Sequence, residues 1–299
     1  MIIVTGVLMY SEYVKKKDCF PYADEIQLEK CIEKYGVRKA YDIFKEQNRD
    51  VEFPASHDNA HVFGGALYST VGHDGIDVCD SNFVGGCFHE LIGRIIALEG
   101  TGTLDVVTEK CRTDRPGEFE TNCLHSFGHG FVNSLGYNPD DLMDALMLCD
   151  IHFYNGRETN ERTPGERQCY HGVFMEYNQR PLIIKGAEGL RSFDFDYPLE
   201  PCDTISERYA PSCFYRLTRL WVLNISKADI KDAYKHYFGK WCEEGASKET
   251  REWCAMGLGS AMAYRQITDK NERRELCSLA FGNNELKLAC VRQIQDKEE

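Results

Sequence analysis

Six of the nine histidines in this chain recur in one local setting. His57-Asp58-Asn59-Ala60-His61 and His125-Ser126-Phe127-Gly128-His129 are two copies of His-x-x-x-His. Cys87-Phe88-His89-Glu90 and Cys169-Tyr170-His171-Gly172 each carry a histidine two residues after a cysteine. On a helix, residues four apart share a face, so each His-x-x-x-His can turn two imidazoles toward one ion. Around Cys123 the apolar stripe is Leu124, Phe127, Phe131 and Leu135. His125 and His129 fall on the adjoining stripe, about 100° round the helix, beside the core and not opposite it. Imidazole suits Zn, Cu, Fe or Ni, and a carboxylate added to the set favours Fe, Mn or Zn. His57, His61, His89, His125, His129 and His171 are therefore the candidate ligands of a transition metal (Zn, Cu or Fe) or of a small bound molecule. Asp58, Glu90 and Glu176 adjoin them. Glu90 and Glu176 are the candidate acid/base groups if the site supports metal-assisted hydrolysis or redox chemistry. The rival reading is a structural layer in which the imidazoles satisfy one another and backbone carbonyls. His73, His152 and His236 read as loop or surface residues.

The elements that must position these side chains are written in the cysteines. The fourteen cysteines fall as consecutive pairs, 19/31, 79/87, 111/123, 149/169, 202/213, 242/254 and 277/290, and no Cys-x-x-Cys occurs. The even count and recurring spacing predict a disulfide framework of Cys19, Cys31, Cys79, Cys87, Cys111, Cys123, Cys149, Cys169, Cys202, Cys213, Cys242, Cys254, Cys277 and Cys290, formed in an oxidising compartment. The second cysteine of each pair heads a stretch of helical periodicity, as in Cys31-Ile-Glu-Lys-Tyr-Gly-Val-Arg-Lys-Ala-Tyr-Asp-Ile-Phe. Ala55 takes the head place in the copy that holds His57 and His61. Heads at 31, 55, 87, 123, 169, 213, 254 and 290 are 24 to 46 residues apart, the range of helical-hairpin repeats. Within a unit the head helix is followed by a turn (Gly136-Tyr-Asn-Pro139, for example) and a second helix such as Asp140–Leu148.

The expected fold is all-α: a disulfide-stapled helical-hairpin repeat array, either an open α-solenoid or a ring closing toward an α/α toroid. A loop of about 12 residues gives each staple roughly 3 kcal/mol in the chain-entropy model. One repeat domain is expected over residues 18–299, with Ile183–Pro201 as its least regular part. The glycines at the histidine level, Gly64, Gly65, Gly93, Gly128, Gly130 and Gly172, are expected to allow close helix packing or to leave room for something bound.

Composition fits a globular protein, with 42% hydrophobic and 28% charged residues. A formal charge of −13 over 299 residues repels phosphate backbones and anionic lipid, so nucleic acid is not expected as a partner. Residues 1–17 begin with an apolar run, Met1–Tyr10, followed by Lys15-Lys16-Lys17. That run is too short to span a bilayer, and its lysines lie on the wrong side for a signal peptide. It is read as the remnant of an N-terminal membrane anchor or as a buried helix. The expected location is extracytoplasmic: periplasmic, secreted or at the cell surface. Gly-x-Ser-x-Gly, Walker and dinucleotide motifs do not occur. Ser126 points away from its sequence neighbour His125 on a helix, so it makes no nucleophile.

The segment His57-Asp-x-x-His61-x-x-Gly64, the Cys-x-His heads and Pro201-Cys202…Tyr209…Cys213-Phe-Tyr resemble an uncharacterised group of bacterial and archaeal proteins over about residues 50–260. In that group Cys-x-His-Gly helical repeats follow a membrane anchor, and the resemblance brings no activity with it. The stapled hairpins also resemble cysteine-rich, tetratricopeptide-like repeats of the Sel type, which implies a concave face for a protein or peptide. On that alternative the chain is a non-catalytic interaction scaffold. Cys169-Tyr-His171-Gly is similar to part of the zinc site of lanthionine cyclase-like toroids, without their wider pattern.

Overall fold

A computed structural model of the chain describes residues 24–53, 55–113, 118–153, 164–179 and 191–295. Among these residues every regular element is a helix and no strand occurs, as the periodicity predicts. They fall into two compact units, the first ending at Val173 and the second beginning at Phe174. No change in composition marks that division, which falls inside a helix.

The first unit contains α1 (Glu25–Tyr35), α2 (Val37–Gln47), α3 (Ala55–Val71), α4 (Gly86–Glu99), α5 (Leu104–Thr113), α6 (Glu118–Leu135) and α7 (Pro139–Phe153). Helix α8 (Pro164–Gln179) contains the boundary. Local chemistry sets several of the ends. Asp24 and Gln27 form a reciprocal capping box at the start of α1. Pro139 opens α7, with Asp140 and Asp141 in the first turn where the helix dipole favours anions. The helix expected to run on from Cys31 is two helices. Gly36, at φ 77°, ends α1 and starts α2, so Cys31 lies in the second half of α1. Of the other heads in this unit, Ala55 is the first residue of α3 and Cys87 the second of α4, whereas Cys123 lies inside α6 and Cys169 inside α8.

Helix α1 packs on α3, α3 on α4, α4 on α6 and α6 on α7. The core between them is Phe63, Leu67, Phe88, Leu91, Ile95, Phe127 and Phe131, all fully buried. Glycine sets the closest approaches. A Cβ on Gly128 would strike the Cys169 carbonyl oxygen, one on Gly172 the His125 carbonyl, and one on Gly64 the Cys87 carbonyl. Close backbone packing therefore accounts for these three glycines.

The second unit contains α9 (Ala210–Asn224), two short helices α10 (Ile230–Ala233) and α11 (Gly239–Glu243) joined by a π-turn, α12 (Lys248–Ala261), α13 (Lys270–Ala280) and α14 (Asn284–Gln295). Helix α9 packs on α12, and α12 on α14. Trp221, Tyr234, Phe238 and Trp241 make an aromatic core. The Arg265 side chain donates to the Val222 and Leu223 carbonyls at the end of α9, which helix geometry leaves open. Residues 191–200, part of the stretch expected to be least regular, are irregular chain, bends and turns.

Six disulfides join Cys79–Cys87, Cys111–Cys123, Cys149–Cys169, Cys202–Cys213, Cys242–Cys254 and Cys277–Cys290, each with its Cα atoms 5.4 to 5.8 Å apart. All six are the consecutive pairs expected from the spacing. The pair 19/31 and the segment 1–17 reach outside the described residues. Six disulfides among the described residues fit an oxidising, extracytoplasmic environment. Among the described residues no helix is long and apolar enough to cross a membrane.

Candidate metal centre

Three helices packed in series bring five of the six candidate ligands to one place. His57 and His61 come from α3, His89 from α4, and His125 and His129 from α6, and none is more than 7% exposed. The rings form a continuous layer. The centroids of His57 and His61 are 4.7 Å apart, as are those of His125 and His129. His89 stands between the pairs, 4.5 to 5.5 Å from each of the other four. Ligand atoms of His57, His61 and His89 lie within 4.8 Å of one another, and so do those of His89, His125 and His129.

Hydrogen bonds fix which nitrogens face inward. His57 Nδ1 is 2.6 Å from the Phe83 carbonyl oxygen, and His125 Nδ1 is 3.3 Å from the Gln168 carbonyl. A carbonyl only accepts, so each Nδ1 carries the proton, and in a neutral ring each Nε2 is left as a bare lone pair. Those lone pairs point at a second histidine: His57 Nε2 is 3.2 Å from His61 Nε2, and His125 Nε2 is 3.0 Å from His129 Nε2. Two nitrogens bound to a tetrahedral zinc at about 2.05 Å stand about 3.3 Å apart. Both pairs already have that separation.

His61 and His89 lack the partners that a purely hydrogen-bonded layer would supply. His61 Nδ1 and Glu90 Oε2 face each other at 3.6 Å, and neither has a hydrogen-bond partner. A neutral His61 cannot resolve this. With its proton on Nε2, a lone pair faces the carboxylate; with its proton on Nδ1, two bare Nε2 atoms meet at 3.2 Å. A second proton on His61, or a metal cation between the Nε2 atoms, would remove the conflict; with the cation, Glu90 and His61 would form a carboxylate–histidine–metal arrangement. His89 has no hydrogen-bond partner at either ring nitrogen, although both are buried. A buried polar group left unmatched costs about 1–3 kcal/mol. Burial above all, and then the neighbouring His129, His57, His61 and His125, hold the His89 imidazole well below its ordinary pKa. It is neutral near pH 7, the form that ligates.

The surroundings hold the layer rigidly. Glu25 on α1 binds Arg94 through two bonds of 2.6 and 2.7 Å, and Arg94 Nε donates to Glu90 Oε1 at 3.0 Å. This chain of charges joins two helices and sets a cation against the buried Glu90 carboxylate beside His61. On the other side of His57, Phe83 and Val84 adopt left-handed backbone at φ 55° and 56°. Such backbone costs roughly 1–2 kcal/mol per L-residue. The Cys79–Cys87 disulfide and the edge-on contact of Phe83 with Phe44 hold the turn, and the turn aims the Phe83 carbonyl at His57. Nothing in the residue types at 83 and 84 announces this backbone. Gln168 acts through its carbonyl and is equally silent in sequence.

The remaining candidates fall elsewhere. His171 is buried on α8 with interactions of its own and belongs to neither triad. Glu176 is fully buried beyond Val173, in the second unit. Asp58 is exposed. His73 pairs with Glu99 at 3.1 Å, His152 lies against the Phe131 ring, and His236 is exposed. Comparison with protein families, with curated proteins and with solved structures finds no match to this chain.

Proposed function

We propose that this protein is an extracytoplasmic metal-binding protein whose histidine layer holds a transition metal, zinc or copper, inside a disulfide-stapled array of helical repeats. The observation that carries the reading is His89: a fully buried neutral imidazole, ringed by four other imidazoles, with both nitrogens unpartnered. A structural hydrogen-bonded layer would satisfy that ring, and an ion does so directly. The donor set selects the metal. Each triad offers imidazole nitrogen alone, and the one adjacent carboxylate is tied to Arg94 and turned to a ligand's far nitrogen. Imidazole without carboxylate or thiolate suits zinc or copper and disfavours manganese.

The repeat reading is supported by register. Gly172, three residues after head Cys169, meets the backbone carbonyl of His125, two residues after head Cys123. Gly257, three after Cys254, meets the carbonyl of Tyr215, two after Cys213. The same offsets recur where no histidine is present. The disulfides support an extracytoplasmic site of action, anchored through the N-terminal segment as in the proteins whose Cys-x-His heads the chain resembles.

The test is metal-dependent stability. Protein refolded oxidatively with zinc or copper in thousandfold excess over Kd should gain about 4 kcal/mol over protein refolded with chelator. The double variant His57→Gln, His125→Gln should fold without that gain. Identical melting with and without metal in the native sequence would contradict the proposal.

A further inference from the structure

His89 belongs to both triads, and its geometry points to more than one ion. Helix α4 packs on α3 along one side and on α6 along another, so its histidine stands between the pair His57/His61 and the pair His125/His129. An imidazole has two nitrogens on different edges of one ring. Both of those of His89 are buried and unpartnered, and each triad needs one more nitrogen to reach three ligands. The flanking pairs share three features: the same four-residue spacing, the same 4.7 Å ring separation, and Nδ1 of the leading histidine on a backbone carbonyl. A single-ion site would leave one nitrogen of His89 unmatched.

We infer that the layer is a dinuclear centre in which His89 bridges two metal ions, one held by His57 and His61 and the other by His125 and His129. The inference rests on the layer being a metal site. Neutral His89 brings one ring proton. The first ion takes the free lone pair; when the second binds, the remaining N–H bond breaks, the proton leaves to solvent, and its electron pair forms the second nitrogen–metal bond. The product is an imidazolate bridge. With metal–nitrogen bonds of about 2 Å, the ions lie roughly 6 Å apart across the ring. The ligand class is a pair of divalent cations that accept three imidazole nitrogens each, copper(II) foremost, since it stands highest in the affinity order.

The experiment is a copper(II) titration of the full chain during oxidative refolding, read by retained copper and by electron paramagnetic resonance. The first equivalent should give an ordinary copper doublet. The second should be retained and should reduce the integrated doublet severalfold, because an imidazolate couples the two spins antiferromagnetically. His61→Gln and His129→Gln, one from each pair, should each hold a single copper and recover the doublet. Either variant suffices if the other fails to fold. One copper per native chain, or two with the doublet undiminished, would overturn the bridge and leave a metal site standing. No retained copper or zinc would overturn the metal reading and the bridge together.

Discussion

Two and six residues after head Cys123 the first unit places His125 and His129; after Cys213 the second unit places Tyr215 and Arg219, and after Cys254 Met256 and Ser260. The scaffolding around these positions is alike. In both units a glycine three residues past a head meets the carbonyl two residues past the preceding head, and a disulfide ties each head to the helix or turn before it. The occupants of the frame differ. Tyr215 stacks edge-on against Trp253, and the Arg219 guanidinium lies over the Tyr264 ring at 3.3 Å. Burial, opposed by Tyr264 and reinforced by nearby Arg216, brings Arg219 down to about 10, still protonated at neutral pH. Stapled helix packing therefore does not require histidine. The layer in the first unit is an addition to a framework that stands without it, and helix packing alone does not account for its unmatched nitrogens on His61 and His89.

The sharpest way to break this comparison is through the staples. Removing Cys79–Cys87 by double Cys→Ser substitution should cost about 2–5 kcal/mol in chemical unfolding, and removing Cys277–Cys290 a similar amount. Only the first should also weaken metal retention, because it releases the strained Phe83–Val84 turn that orients His57. Equal metal retention in both variants would detach the turn from the site. Next in size, Gly172→Ala and Gly257→Ala each force a Cβ onto a carbonyl and should lose about 1–3 kcal/mol. Metal loss should accompany the former alone.

These expectations also mark where sequence was informative. The periodicity and cysteine spacing predict all-α structure and the six described staples, because both are local in the chain. The five-membered layer was legible for the same reason: the four-residue spacing and the offset from each head are periodic signals. His171 shares the offset but joins neither triad, since offset places a residue along a helix without stating which neighbours surround it. The break at Gly36 was missed because the apolar spacing around it suits one helix as well as two. The Glu25–Arg94–Glu90–His61 chain links residues up to 69 apart in sequence, which no local pattern encodes. Glu90, expected as an acid/base candidate, is bonded to Arg94 beside His61.

Smaller effects separate the layer from its surroundings. Arg94→Met leaves Glu90 buried without its cation and should cost about 3–5 kcal/mol if Glu90 stays charged. Adding Glu90→Gln should restore most of that stability while metal affinity stays about 10–100-fold lower, since the outer partner of His61 is gone. The smallest effect is at Asp80, in the loop that leads to Phe83. Burial raises its pKa, but hydrogen bonds from Lys45, Tyr41 and Asn82 prevail and hold it below the ordinary value of 3.8. A depressed carboxylate stabilises the fold above its unfolded pKa and loses that contribution as pH falls through the lower folded one. Asp80→Asn should therefore flatten the acid limb of stability below about pH 4 by less than about 1 kcal/mol.

The most direct measurement of the central claim is elemental analysis of the full chain purified from an oxidising compartment without added metal. The account predicts zinc or copper at up to two ions per chain, falling to near zero when His57, His61, His125 and His129 are replaced together by glutamine in a protein that still folds. A native chain that is fully disulfide-bonded, folded and free of transition metal, and that takes none up on refolding, would contradict it.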